Sequence, residues 1–333
     1  QTWEPEEGVP QRRWAWLTSG GLLALLIGAG GWLYVLVRGS LAQLDGAAPL
    51  VGLSAPVIVE RDALGIPTIR GESRLDAARA TGFVHAQERF FQMDLLRRTA
   101  AGELAAVLGP AVLHLDRTNR VHRFRHRAQH VLTTASAEER ALIAAYTAGA
   151  NAGLAALSAP PFEYLLLRAT PEPWRPEDTP LVIYAMILDL QGRQWPRESA
   201  RGVLRDTLPP ELATFLDPSG TEWDTPLQGE PFPAPSPPGP EVFDLRHPRS
   251  PRPLAEEESG ARAKSSTQFA EPLSGSNNWA VAGQLTTHGG ALLANDMHLA
   301  LRLPNIWYRA ALIYPDGRSG ENRIDGVTLP GTP

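Results

Sequence analysis

The chain has 333 residues, with 31 Lys and Arg against 36 Asp and Glu, and a formal net charge of −5. Hydrophobic residues make up 43% and charged residues 20%, a globular balance that excludes a largely disordered, collagenous or supercharged protein. The absence of cysteine excludes disulfide scaffolds, thiolate zinc sites, iron–sulfur clusters and a cysteine nucleophile, and the slightly acidic total argues against general nucleic-acid binding.

The first element concerns location. Arg12 and Arg13 precede an uncharged run from Trp14 to Val37, which Arg38 closes. As a helix rising about 1.5 Å per residue the run extends about 36 Å, enough to cross a hydrocarbon core of about 30 Å. Trp14, Trp16, Trp32 and Tyr34 lie near its ends, where aromatic rings favour the membrane interface. The charge bias predicts 1–13 as a cytoplasmic tail, 14–37 as a membrane anchor or signal segment, and the remainder as exported to the periplasmic or extracytoplasmic face. Ser40-Leu41-Ala42 offers a small-x-small cleavage site, yet the run exceeds a usual signal core, so anchor and cleaved signal both stay open. A buried core helix is a third reading, without the amphipathic stripe it requires.

Val57-Ile58-Val59 and Ile66-Pro67-Thr68-Ile69 flank Arg61-Asp62-Ala63-Leu64-Gly65, which predicts two short strands around a turn. From Leu75 to Leu108 the period is helical, with Phe83, Ala86, Phe90 and Met93 at spacings of three and four, and Gly109-Pro110 ends it. Ser136-Ala137-Glu138-Glu139 has the form of a capping box and precedes Leu142, Ala145, Tyr146 and Gly149 on one helical face. Leu181 to Leu190 is a further apolar stretch after the loop 171–180. His85 and His114 have no metal-type spacing and read as structural. The basic run from Arg117 to Arg127 has only Phe124 as an interleaved aromatic, so it reads as a solvated or ion-paired helix face rather than a nucleic-acid footprint.

Residues 228–275 are rich in proline and carry Glu256-Glu257-Glu258, a composition that cannot supply a packed core and reads as a linker or excised spacer. Beyond it, Trp279 to Ala282, Ala291 to Ala294 and Ile306 to Ile313 read as successive strands. The junction itself is Gly275-Ser276-Asn277-Asn278-Trp279-Ala280-Val281-Ala282-Gly283. Cleavage between Gly275 and Ser276 would give Ser276 a free α-amine beside its own hydroxyl. An α-amine has an ordinary pKa of about 7.7 to 8.0, so near neutrality a substantial part is unprotonated and able to act as base. One residue then supplies both nucleophile and base.

That junction resembles the start of the catalytic chain in the penicillin acylase family of N-terminal nucleophile amidohydrolases, which includes cephalosporin and acyl-homoserine lactone acylases. Further segments resemble the family in order: Arg61 to Pro67, His85-Ala86-Gln87-Glu88-Arg89-Phe90-Phe91-Gln92-Met93-Asp94 with Arg97-Arg98, Pro173 to Asp178, Leu293-Ala294-Asn295-Asp296-Met297-His298-Leu299, and Gly326 to Gly331. The resemblance covers roughly Val57 to Pro333. It implies an α+β class and an αββα four-layer fold, with 57–227 as a largely helical first chain, 228–275 as spacer and 276–333 as the first strands of the catalytic chain. It also implies self-cleavage by an N-to-O acyl shift, an αβ heterodimer, and hydrolysis of a small-molecule N-acyl amide through an acyl-enzyme on Ser276. His298, 22 residues on, is expected to orient the new amine and hydroxyl; alone it reads as a structural hydrogen-bonder, and a metal site with Asp296 is a weaker alternative. Glu198 resembles a calcium-ligand glutamate of the first chain, one structural calcium being implied, while a solvated helix carboxylate is its plain reading. The oxyanion-hole donors and the other calcium ligands are expected beyond Pro333, so these residues alone are expected to be inactive. A non-catalytic membrane-anchored remnant and an anchored binding protein are the rival readings.

Overall fold

The computed structural model describes residues 10–192, 194–220, 228–230, 232, 234–244, 246, 276–299, 301–318 and 320–333, with side chains from residue 19 onward. In chain order these give α1 (Pro10–Gly39), β1 (Ile58–Arg61), β2 (Pro67–Arg70), α2 (Arg74–Ala101), α3 (Ala105–Leu108), α4 (Leu113–Arg120), α5 (Phe124–Thr134), α6 (Ala137–Ala155), α7 (Phe162–Leu167), α8 (Asp178–Gln191), α9 (Gln194–Thr207) and α10 (Pro210–Leu216). The strands β3 (Ser276–Val281), β4 (Leu292–Met297), β5 (Tyr308–Pro315) and β6 (Glu321–Thr328) follow. The mixture of helix and sheet agrees with an α+β class. The residues divide into two compact units, 1–186 with 301–333, and 187–300.

In the first unit α2 is the central element. Ser73 caps it by accepting from the Asp76 amide at 3.1 Å, and left-handed Gly102 ends it, with the Glu103 amide reaching back to the Arg98 carbonyl at 2.8 Å. The expected helix 75–108 therefore breaks at Gly102 into α2 and α3. The predicted capping box of α6 is present: Ser136 N donates to Glu139 Oε2 at 2.7 Å and Glu139 N to Ser136 Oγ at 3.2 Å. Helices α2 and α6 meet backbone to backbone, since a Cβ on Gly149 would lie 1.8 Å from the Arg79 carbonyl oxygen. Around that contact Phe90, Met93, Tyr146, Tyr164, Trp174 and Val182 form the main core.

The sheet of this unit runs β1-β2-β5-β6. The predicted hairpin β1–β2 is antiparallel, β2 pairs parallel with β5 at Thr68↔Ala311, and β5 pairs antiparallel with β6. Ile69, Tyr308 and Ala310 face α2 through Ala80 and Val84. Strands drawn from both ends of the sequence thus share one sheet. β6, which alternation did not suggest, is almost wholly exposed and forms an edge.

The second unit holds α9, α10 and an exposed antiparallel hairpin of β3 and β4. Its register runs from Ser276↔Met297 to Val281↔Leu292. The apolar side chains Trp279 and Leu293 are exposed there.

Candidate active site

Ser276 is the first residue of β3, directly opposite Met297 near the end of β4. Alternation along the strands places Ser276 and Asn278 on the face of Asn295 and Met297, and Asn277 on the face of Asp296. His298 follows β4, and its Nε2 lies 2.8 Å from Asp296 Oδ2. A carboxylate only accepts, so this ring nitrogen carries a proton, and in the neutral ring Nδ1 is the acceptor. The hairpin thus brings Ser276 and His298 to the same end. Among the described residues no hydrogen bond joins the His298 ring to Ser276 Oγ, and Asp296, which holds the ring, lies on the face opposite Ser276. In the uncut chain the Ser276 nitrogen is an amide, which has no lone pair to offer a partner. Gly275, the other half of the expected cleavage site, lies outside the described residues.

The remaining signature residues are polar groups of the first unit. His85 is fully buried on α2, with Nδ1 2.8 Å from Tyr146 Oη and Nε2 2.8 Å from Thr328 Oγ1. Tyr146 Oη accepts the Gly331 amide at 2.8 Å, and Thr328 Oγ1 donates to the Tyr308 carbonyl at 3.0 Å. Each hydroxyl has one proton, so Tyr146 donates to Nδ1 and Nε2–H donates to Thr328. Burial, aided by the nearby Arg89 charge, lowers the His85 pKa to about 3, so the ring is neutral. Glu88 pairs with Arg61 and accepts from Tyr308 Oη at 2.9 Å.

Further along α2, buried Asp94 accepts from Arg97 Nε at 2.7 Å, Arg98 Nε at 2.8 Å and Tyr164 Oη at 2.6 Å. Arg97 continues to Asp178 Oδ2 at 2.5 Å and to the carbonyls of Glu172 and Pro173, both at 2.9 Å. Its guanidinium lies 5.0 Å from the Trp174 ring centroid. Arg125, within the basic run, grips both Glu103 oxygens at 2.7 and 2.6 Å and also reaches Asp178. Elsewhere in that run Arg120 Nε donates to the Gly102 carbonyl at 2.8 Å and Arg127 Nε to the His122 carbonyl at 2.9 Å, so the ion pairing expected of the face is seen at Arg125. Tyr146, Tyr164, Thr328, Asp178 and Glu103 carry this network; helical spacing marks Tyr146, the family-like segments include Asp178 and Thr328, and neither marks Tyr164 or Glu103. Polar residues at apolar helical positions, Asp94 beside Met93 and His85 beside Ala86, were the available signal.

Glu198 is exposed on α9 and pairs with Arg201 Nη1 at 3.1 Å. No group of three His, Asp or Glu able to hold a metal occurs among the described residues. Calcium takes about six to eight oxygens, so Glu198 alone does not form its site.

These motifs point one way. The penicillin amidase profile matches residues 56–333. The chain belongs to the penicillin amidase family. It is 34% identical over 309 residues to penicillin acylase 2 proenzyme of Pseudomonas sp. strain SE83, covering 89% of this chain and 36% of that protein. With an acyl-homoserine lactone acylase QuiP of Pseudomonas aeruginosa it shares 31% over 318 residues, 94% of this chain and 35% of the relative. The chain thus spans about a third of the length of these relatives. Among solved structures, a thermostable penicillin G acylase from Alcaligenes faecalis is 26% identical, with a TM-score of 0.43, covering 54% of this chain and 98% of that one.

Proposed function

We propose that the chain is part of a precursor that cleaves itself between Gly275 and Ser276 and then hydrolyses N-acyl amides. The observation that carries the reading is the position of Ser276 at the head of β3 in a member of this family, beside a second strand that ends just before His298. Once cut, the Ser276 α-amine takes the Oγ proton while Oγ attacks the amide carbonyl. The leaving amine departs with a proton, an ester remains on Ser276, and water releases the carboxylic acid. His298, held by Asp296, orients the new terminus through its free Nδ1. The relatives' names supply the substrate classes, β-lactam side-chain amides and N-acyl-homoserine lactones.

In this reading 57–227 is the first chain, 228–275 the spacer and 276–333 the opening of the catalytic chain of an αββα four-layer enzyme that works as an αβ heterodimer. The all-round exposed apolar helix Ser19–Gly39 supports export, as anchor or signal. Glu198 enters as one prospective calcium ligand, and no step depends on the ion. The test uses the full-length protein. Ser276→Ala is expected to leave one uncut chain that releases no acid from phenylacetyl, aliphatic or homoserine-lactone amides, while the wild type does. An uncut variant with wild-type turnover would remove the mechanism.

A further inference from the structure

The last residue of α1 is tied to the folded unit. The Ala159 amide donates to the Gly39 carbonyl at 3.0 Å, and Ser40 beside it is buried. Three residues beyond Ala159, α7 begins. Its orientation is fixed by Tyr164, whose ring packs against Phe91 at 5.2 Å between centroids and whose hydroxyl reaches Asp94. With Tyr164 inward, Phe162, Leu166 and Leu167 face outward, Leu166 being 76% exposed. On the other side of the junction Leu41 and Leu44 are also exposed, Leu44 to 61%. Arg38 and Arg168 are exposed beside them.

We propose that α7 and the turn 40–44 form a surface that lies in the headgroup layer of a lipid bilayer. The proposal rests on α1 being retained as a membrane span. The 21 residues Ser19–Gly39 rise about 32 Å, which matches the hydrocarbon core and leaves Gly39 at its boundary. Three residues of chain reach at most about 11 Å, while the headgroup layer on one side is about 5 to 8 Å deep. Phe162 therefore cannot stand far from that layer, and Leu166 and Leu167 lie at most about 8 Å further along α7. Water would leave five large apolar side chains exposed at one junction, whereas lipid covers them and meets Arg38 and Arg168 with phosphate. The same turn and Phe162 wall a cleft of about 1320 Å³ with Phe91, Leu95 and Leu96, so the surface opens inward as well.

These 333 residues hold no cysteine, and any elsewhere in the full-length protein is first replaced by serine so that single nitroxide labels report cleanly. Leu26→Cys in α1 and Leu166→Cys in α7 are labelled in the full-length protein, in vesicles of phosphatidylcholine and phosphatidylglycerol. Collisions with oxygen and with a water-soluble nickel chelate are then compared with those of free label in the same suspension. The expected result is an oxygen-to-nickel ratio several-fold above the aqueous value at both positions, higher at 26 than at 166. An elevated ratio at 26 with an aqueous ratio at 166 overturns the surface while sparing the anchor. Shielding of 166 from both reagents also overturns it, because protein then covers α7. An aqueous ratio at 26 removes the anchor, and this surface with it.

Discussion

Hydrogen-bond accounting assigns one proton arrangement to the buried ring of His85, neutral with the proton on Nε2. Its folded pKa, about 3 against an ordinary 6.5, makes stability depend on pH with a definite sign. Below 6.5 the unfolded chain binds a proton that the folded chain refuses, so stability is complete above 6.5 and declines as pH falls toward 3. Between pH 6.5 and 5 the contribution is about 2 kcal/mol. Tyr146→Phe leaves Nδ1 and the Gly331 amide without partners and is expected to cost about 2 to 4 kcal/mol in urea melts at pH 7. Equal stability of variant and wild type would show that the hydroxyl carries no net weight. The lack of metal-type spacing predicts a structural His85, and its burial among hydroxyl partners agrees. Thr328 lies 243 residues away, and no local pattern announces such a partner. That Ser276 and His298 each adjoin a strand was legible from the apolar runs at 279–282 and 291–294. The strand face of each was not, because it depends on the register of β3 against β4.

At the scale of elements, local signals read well where the physics is local. The hairpin around 61–65, the capping box at Ser136 and the three later strands that carry apolar runs all appear within a few residues of their expected places. The helical period over 75–108 hides a break that the left-handed conformation of Gly102 makes at the end of α2. β6 escaped because its residues are polar on both faces of an exposed edge. The family signature on α2 is mainly a packing device. Asp94 neutralises two buried arginines and receives a tyrosine, and through Arg97 it fixes the loop 172–178 that begins α8. Asp94→Asn keeps the size and removes the charge, leaving Arg97 with Asp178 alone and Arg98 with the exposed Glu172. The expected loss is about 3 to 5 kcal/mol, read as a lower midpoint in denaturant melts. A midpoint unchanged within error would mean that the hydrogen bonds, and not the charges, hold the loop.

Across the whole molecule, residues before and after the proposed scissile bond occupy one compact unit. β2 pairs with β5, His85 with Thr328, Tyr146 with Gly331, and Glu88 with Tyr308. A cut at Gly275–Ser276 severs none of these contacts. Two chains are therefore expected to co-elute in size exclusion and to separate only in denaturant; separation in plain buffer would contradict this packing. Apolar residues on the exposed hairpin β3–β4 agree with a chain that spans a third of its relatives' length. Chain separation, however, tests the interface and not the chemistry. Terminal sequencing of the native full-length product after denaturation tests the chemistry directly. A fragment beginning Ser276-Asn277-Asn278-Trp279 is expected, absent from Ser276→Ala. Active wild-type material from which no fragment starting at Ser276 is recovered would contradict it.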